Sequence, residues 1–142
     1  MSVPMTVEET TLSPAPAGDI WKLCGAPASI AEWSPAVGKS WMDGDVRHVE
    51  LTGAGQARER ITEHDDAERY YTYDYVDGPL VLDAMSSRFA VHSTADGGSR
   101  IVWSAQFAAV DDAQGAELAQ AVSGMYQAGL TSLAALVAAS PS

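Results

Sequence analysis

Residues 111–139 read DDAQGAELAQAVSGMYQAGLTSLAALVAA, and this stretch decides the fold. Leu118, Val122, Met125, Tyr126, Gly129, Leu130, Leu133, Leu136 and Val137 recur at helical spacing on one face, while Glu117, Gln120, Ser123, Gln127 and Thr131 hold the opposite face. The spacing predicts one long amphipathic helix after Asp111-Asp112, with a single apolar stripe to bury. Pro141 closes the chain behind it.

Upstream the period changes. Val37–Met42, Arg47–Leu51, Gln56–His64, Arg69–Val76, Met85–Ser93 and Arg100–Ala108 are short extended runs. They are separated by Asp43-Gly44, Gly53-Ala54-Gly55, Asp65-Asp66, Asp77-Gly78-Pro79 and Asp96-Gly97-Gly98, all of them turn chemistry. Six strands joined in this way form an antiparallel meander. Before them, Met5 to Leu12 reads as a first strand that ends at Ser13-Pro14-Ala15-Pro16. A short helix follows from Pro16, with Ile20, Trp21 and Cys24 as its apolar face and Gly25 as its stop, and a second spans Pro27 to Trp33 before Pro35. The order strand, two short helices, six strands, long helix predicts an α+β fold of about seven strands. Such a sheet has to curl around the one helix it covers, and the curl leaves a space between them.

The chain has 142 residues, enough for one domain spanning 1–142 with a substantial core. Eight basic residues against nineteen acidic ones leave a net charge of −11, which repels phosphate backbones and anionic lipid surfaces. Nucleic-acid and membrane partners are therefore not expected, and no apolar stretch is expected to approach the length of a membrane span. Cys24 is the single cysteine, so no intrachain disulfide is available and a cytoplasmic location is expected. The absence of Asn, the scarcity of Lys and the abundance of Ala fit a GC-rich bacterial coding sequence.

Several segments carry a family resemblance. They are Ala15-Pro16 with Trp21, Ala31-Glu32-Trp33-Ser34-Pro35-Ala36-Val37, Asp43-Gly44, Arg58-Glu59-Arg60-Ile61, Arg69-Tyr70-Tyr71-Thr72-Tyr73, Gly78-Pro79-Leu80 and Val102-Trp103-Ser104-Ala105-Gln106-Phe107. In this order the chain resembles the SRPBCC superfamily, the START and Bet v 1-like helix-grip fold, and within it the bacterial polyketide cyclase/dehydrase-like branch. The resemblance implies a curved antiparallel sheet gripping the C-terminal helix around a cavity for a hydrophobic small molecule. It implies no cofactor, and a monomer or homodimer. This chain departs from the branch after Gly78-Pro79-Leu80, where Val81 and Met85 replace a usual proline and tyrosine.

Strand alternation puts Glu59 on the same face as Ile61, toward the interior. A carboxylate among aromatic side chains suits general acid–base work next to a carbonyl. The alternative is an ion pair with an arginine on a neighbouring strand. Tyr71, Tyr73 and Tyr75 are in phase, either to orient a ligand's oxygens or as a stripe with solvated hydroxyls. Glu59, Tyr71 and Tyr73 are the catalytic candidates. Trp33, Trp41, Phe89, Trp103, Phe107, Met125 and Tyr126 are the substrate-binding candidates, each of which ordinary packing would equally explain. His48, His64 and His92 lack metal-ligand spacing, so no metal is expected. Together these residues suggest cofactor-independent cyclisation or dehydration of a polyketide-like compound, or a non-catalytic carrier or sensor.

Overall fold

The computed structural model describes residues 3–80 and 84–139; Val81 and Pro141 lie outside the described residues. Strand β1 (Val3–Ser13) leads into α1 (Ala17–Cys24), a single 3-10 turn at Pro27–Ser29 and α2 (Ile30–Trp33). The meander follows as β2 (Val37–Asp43), β3 (Val46–Leu51), β4 (Gly55–Asp65), β5 (Tyr70–Asp77), β6 (Ala84–Ser93) and β7 (Ser99–Ala109), and α3 (Asp112–Ala139) completes the fold. The sheet order is β1-β7-β6-β5-β4-β3-β2, with every neighbouring pair antiparallel. This is the helix-grip α+β architecture expected from the order of elements.

Turn chemistry fixes the register. Between β2 and β3, Asp43 pairs with Val46 across a two-residue turn, and Gly44 has φ +63, a conformation that costs glycine least. Bulges at Val37/Lys39 in β2, and at Arg58/Glu59 and Ile61/Glu63 in β4, break the ladder and sharpen the bend of that half of the sheet. The curled sheet presents one face to α3, which packs mainly on β1 and β7, while α1 and α2 close one end.

Ile20, Trp33, Tyr71, Phe89, Ile101, Trp103, Tyr126, Leu130 and Leu133 are all buried between sheet and helices. Each large apolar side chain withdrawn from water contributes about 1.5–3 kcal/mol, which is why the stripe on α3 holds it against the sheet. Leu136 falls off the stripe, at 39% exposed, while Val137 beyond it is half-buried against the core. By length and composition α3 is apolar enough to cross a membrane, contrary to the expectation from sequence, because only Asp112 and Glu117 are charged along it. In the fold its Val122, Tyr126, Leu130 and Leu133 are buried in the core.

Candidate functional site

The three in-phase tyrosines on β5 point inward, and their hydroxyls are engaged inside the protein. Tyr71 accepts a hydrogen bond from Arg47 Nη1 at 3.1 Å, Tyr73 accepts one from Trp103 Nε1 at 3.0 Å, and Tyr75 accepts one from the Leu80 amide at 3.0 Å. Burial pushes the pKa values of Tyr71 and Tyr73 upward, and that of Tyr126 up to about 12. These phenols stay protonated at neutral pH, and each keeps a hydrogen it can donate.

Arg47 on β3 has no exposed surface, and it lies directly across from Glu59 on β4. Its Nε donates to Glu59 Oε1 at 2.9 Å and its Nη1 to the Pro27 carbonyl at 2.8 Å. Nη2 lies 2.7 Å from the same Oε1 without a hydrogen-bonding angle. The guanidinium also sits 4.6 Å from the centre of the Tyr73 ring and 5.4 Å from that of Tyr71, a cation–π arrangement. Burial works against the charge of Arg47, but Glu59 and the two tyrosines outweigh it and its pKa is raised. Glu59 therefore does face the interior, and it is also the ion-pair partner of an arginine on a neighbouring strand.

Between sheet and α3 lies a cavity of about 50 Å³. A single water needs about 10–15 Å³ of such space, so the cavity has room for a few waters at most. Its polar side chains are Ser34, Glu59, Tyr73, Tyr75, Ser87 and Tyr126, and apolar residues such as Val49, Leu51, Met85 and Met125 make up most of the remaining wall. The space that a curled sheet leaves is occupied largely by aromatic rings. Trp103 stacks on Tyr126 with ring centres 4.0 Å apart, and Trp33 meets Phe89 at 5.1 Å and Trp103 at 5.2 Å. Gly129 permits this packing, because a Cβ there would stand 2.9 Å from the Trp103 ring and 3.2 Å from Trp33.

A family model described as polyketide cyclase/dehydrase and lipid transport matches residues 4–138. The chain belongs to this family. Among solved structures, this polyketide cyclase/dehydrase family member is similar to an uncharacterised protein from Bacillus thuringiensis, at 26% identity and TM-score 0.85 over 94% of this chain and 99% of that one. It is also similar to XoxI from Bacillus cereus, at 26% identity and TM-score 0.81 over 97% and 96% of the two chains. A norcoclaurine synthase from Thalictrum flavum shares the fold at 16% identity, TM-score 0.77, over 99% and 90%. No curated protein matches.

In this family member, Glu59, Tyr73, Trp103, Met125 and Tyr126 come together on the cavity wall. Tyr71, Trp33, Phe89 and Phe107 are buried in the core behind it and are absent from the lining. Trp41 is on the other face of the sheet, stacked on His48 at 5.1 Å with Lys39 Nζ 5.2 Å from its ring centre. The bulge at Val37/Lys39 explains this. It adds one residue to β2, so inward Val37 is followed by inward Ser40, whose hydroxyl donates to the Ala28 carbonyl, and Trp41 turns outward. Arg47, Ser34 and Ser87 were not among the sequence candidates. Alternation along β3, where Arg47, Val49 and Leu51 share a face, was the signal available for Arg47.

Proposed function

We propose that the chain binds a neutral hydrophobic small molecule between the sheet and α3. On it, the chain performs cofactor-independent cyclisation or dehydration of a polyketide-like carbonyl compound. The observation that carries this reading is a carboxylate, Glu59, the one charged side chain among the described residues of the cavity wall, with hydroxyl-bearing side chains beside it. Glu59 takes a proton from the carbon next to the substrate carbonyl. Tyr73, whose oxygen accepts from Trp103, redirects the hydroxyl hydrogen it shares with Tyr126 to the developing enolate oxygen. The enolate carbon then attacks a second carbonyl of the same molecule, or expels a β-hydroxyl as water, with the proton returned from Glu59. Substrate entry displaces Met85 and Met125, unbranched side chains that repack at low cost. The norcoclaurine synthase of the same fold is known in complex with dopamine and hydroxybenzaldehyde, which supports a small aromatic or carbonyl ligand in this space. The reading places the protein in the cytoplasm of a bacterium, in line with its buried, unpaired Cys24.

One observation favours a second reading. Arg47 already occupies the Glu59 carboxylate, which suits a carrier that needs no base, and lipid transport belongs to the family description. Mass spectrometry of the protein incubated with a panel of hydrophobic carbonyl compounds separates the two. Conversion faster than in buffer, lowered more than about tenfold by Glu59→Gln in folded protein, supports the cyclase reading. Conversion unaffected by the substitution removes Glu59 from the mechanism, and a ligand that binds and returns unchanged makes the protein a carrier.

A further inference from the structure

On the cavity wall one polar group differs from the others. Glu59 is held by Arg47, Tyr73 accepts from Trp103, Tyr75 accepts from the Leu80 amide, and Ser87 and Tyr126 share a hydrogen bond at 3.2 Å. Ser34, 2% exposed and on the same wall, has a hydroxyl with no hydrogen-bond partner among the described residues. Its main chain is satisfied, since the amide donates to the Ile30 carbonyl at 2.8 Å and the carbonyl accepts from the Val37 amide at 3.1 Å. The unmet group is therefore the side chain alone. A buried hydroxyl without a partner is unfavourable, and groups of this kind are retained where something outside the chain completes them. Trp33 Nε1 is also buried without a partner, but Trp33 does not line the cavity and adds nothing to the argument.

We infer that Ser34 Oγ is the hydrogen-bonding anchor of the cavity and receives one uncharged oxygen of the ligand, a hydroxyl or a carbonyl. This rests on the ligand-binding reading above and narrows its substrate class. The ligand is neutral, because Glu59 repels an anion and the cationic charge of Arg47 is already answered by Glu59. It is apolar along its body, to match Val49, Leu51, Met85 and Met125. Its oxygen-bearing end lies at the α2 end of the cavity, against α3, where a Cβ at Gly129 would be 3.5 Å from Ser34 Oγ. That end fixes the ligand's orientation, so Ser34 determines specificity and takes no part in proton transfer.

The test uses two probes of nearly the same shape, p-cresol and p-xylene, titrated by NMR into the wild-type protein and Ser34→Ala. The anchor predicts that the wild type prefers p-cresol and that Ser34→Ala loses about threefold to tenfold in p-cresol affinity with p-xylene affinity unchanged. Equal loss for both probes, or no loss for either, overturns the anchor and leaves the ligand-binding reading standing. Failure of both probes to bind the wild type at millimolar concentration overturns both. Thermal unfolding without ligand is an independent check. Ser34→Ala should be as stable as the wild type or more stable, and a clear fall in melting temperature would mean that the hydroxyl is already partnered within the fold, which also overturns the anchor.

Discussion

Arg47 and Glu59 are a pair whose strength lies in the cost of breaking it. A guanidinium with no exposed surface is answered by one carboxylate oxygen, one backbone carbonyl and one phenol. Removing the carboxylate leaves the cation buried with its chief partner gone, and such losses run to about 3–5 kcal/mol. Glu59→Gln is therefore expected to lower unfolding free energy in urea by about 3 kcal/mol. Arg47→Met with Glu59→Gln together should recover most of that, since two apolar or neutral groups can replace a buried pair at little net cost. A double variant no better than Glu59→Gln alone would show that Arg47 contributes through its aromatic contacts and not as a charge. The stability effect also bears on function, because turnover of Glu59→Gln has to be compared at a temperature where the variant is folded.

At the scale of elements, the same helix carries two glycines with opposite prospects. Gly129 faces the core, where a Cβ would enter the Trp103 ring at 2.9 Å, while Gly124 is exposed with nothing within 4 Å. Alanine gains about 1 kcal/mol over glycine in a helix interior. Gly124→Ala should therefore raise stability by about that amount, whereas at Gly129 overpacking of about 1–3 kcal/mol exceeds the gain and Gly129→Ala should be destabilising. Chemical denaturation of the two variants checks the signs, and a stabilising Gly129→Ala would mean that the Trp33–Trp103 contact yields easily. The elements themselves were legible in the sequence because period and turn chemistry are local. Asp43-Gly44 marks a hairpin without any knowledge of its surroundings, and the stripe through Val122, Tyr126 and Leu130 marks α3. What alternation does not carry is phase across a bulge, so Trp41 could not be oriented before the insertion in β2 was known. Nor does it carry volume. Trp33, Phe89, Trp103 and Tyr126 read equally as pocket or core, and only their mutual packing shows how little open space is left.

For the molecule as a whole, the interior has been closed around groups that ionise in alkali. Free tyrosine side chains titrate near about pH 10, but burial holds Tyr71 and Tyr73 above that and pushes Tyr126 up to about 12. Burial also pushes the Cys24 thiol from 9.0 to about 12. Below about pH 8 native and unfolded chains both keep these four protons, and the groups give stability no slope. As pH rises further the unfolded chain releases protons that the native state retains, so the unfolded state binds fewer and stability falls with pH. Each fully unbalanced proton contributes about 1.4 kcal/mol per pH unit, so the four together reach about 5 kcal/mol per unit between about pH 10 and pH 12. A domain of this size has a total stability of about 5–15 kcal/mol, and global unfolding is expected before the native tyrosines titrate. Urea unfolding measured at intervals from about pH 7 to pH 11, with tyrosinate absorbance followed in parallel, should show a plateau and then a steep decline. Tyr126→Phe should reduce the slope by about one proton's worth, which separates the tyrosine contribution from the general repulsion of an acidic chain. Tyrosinate absorbance beyond what Tyr70 and Tyr75 account for, appearing near about pH 10 in protein that is still folded, would mean that the buried hydroxyls reach solvent, and the polar wall on which the proposed chemistry rests would have to be redrawn.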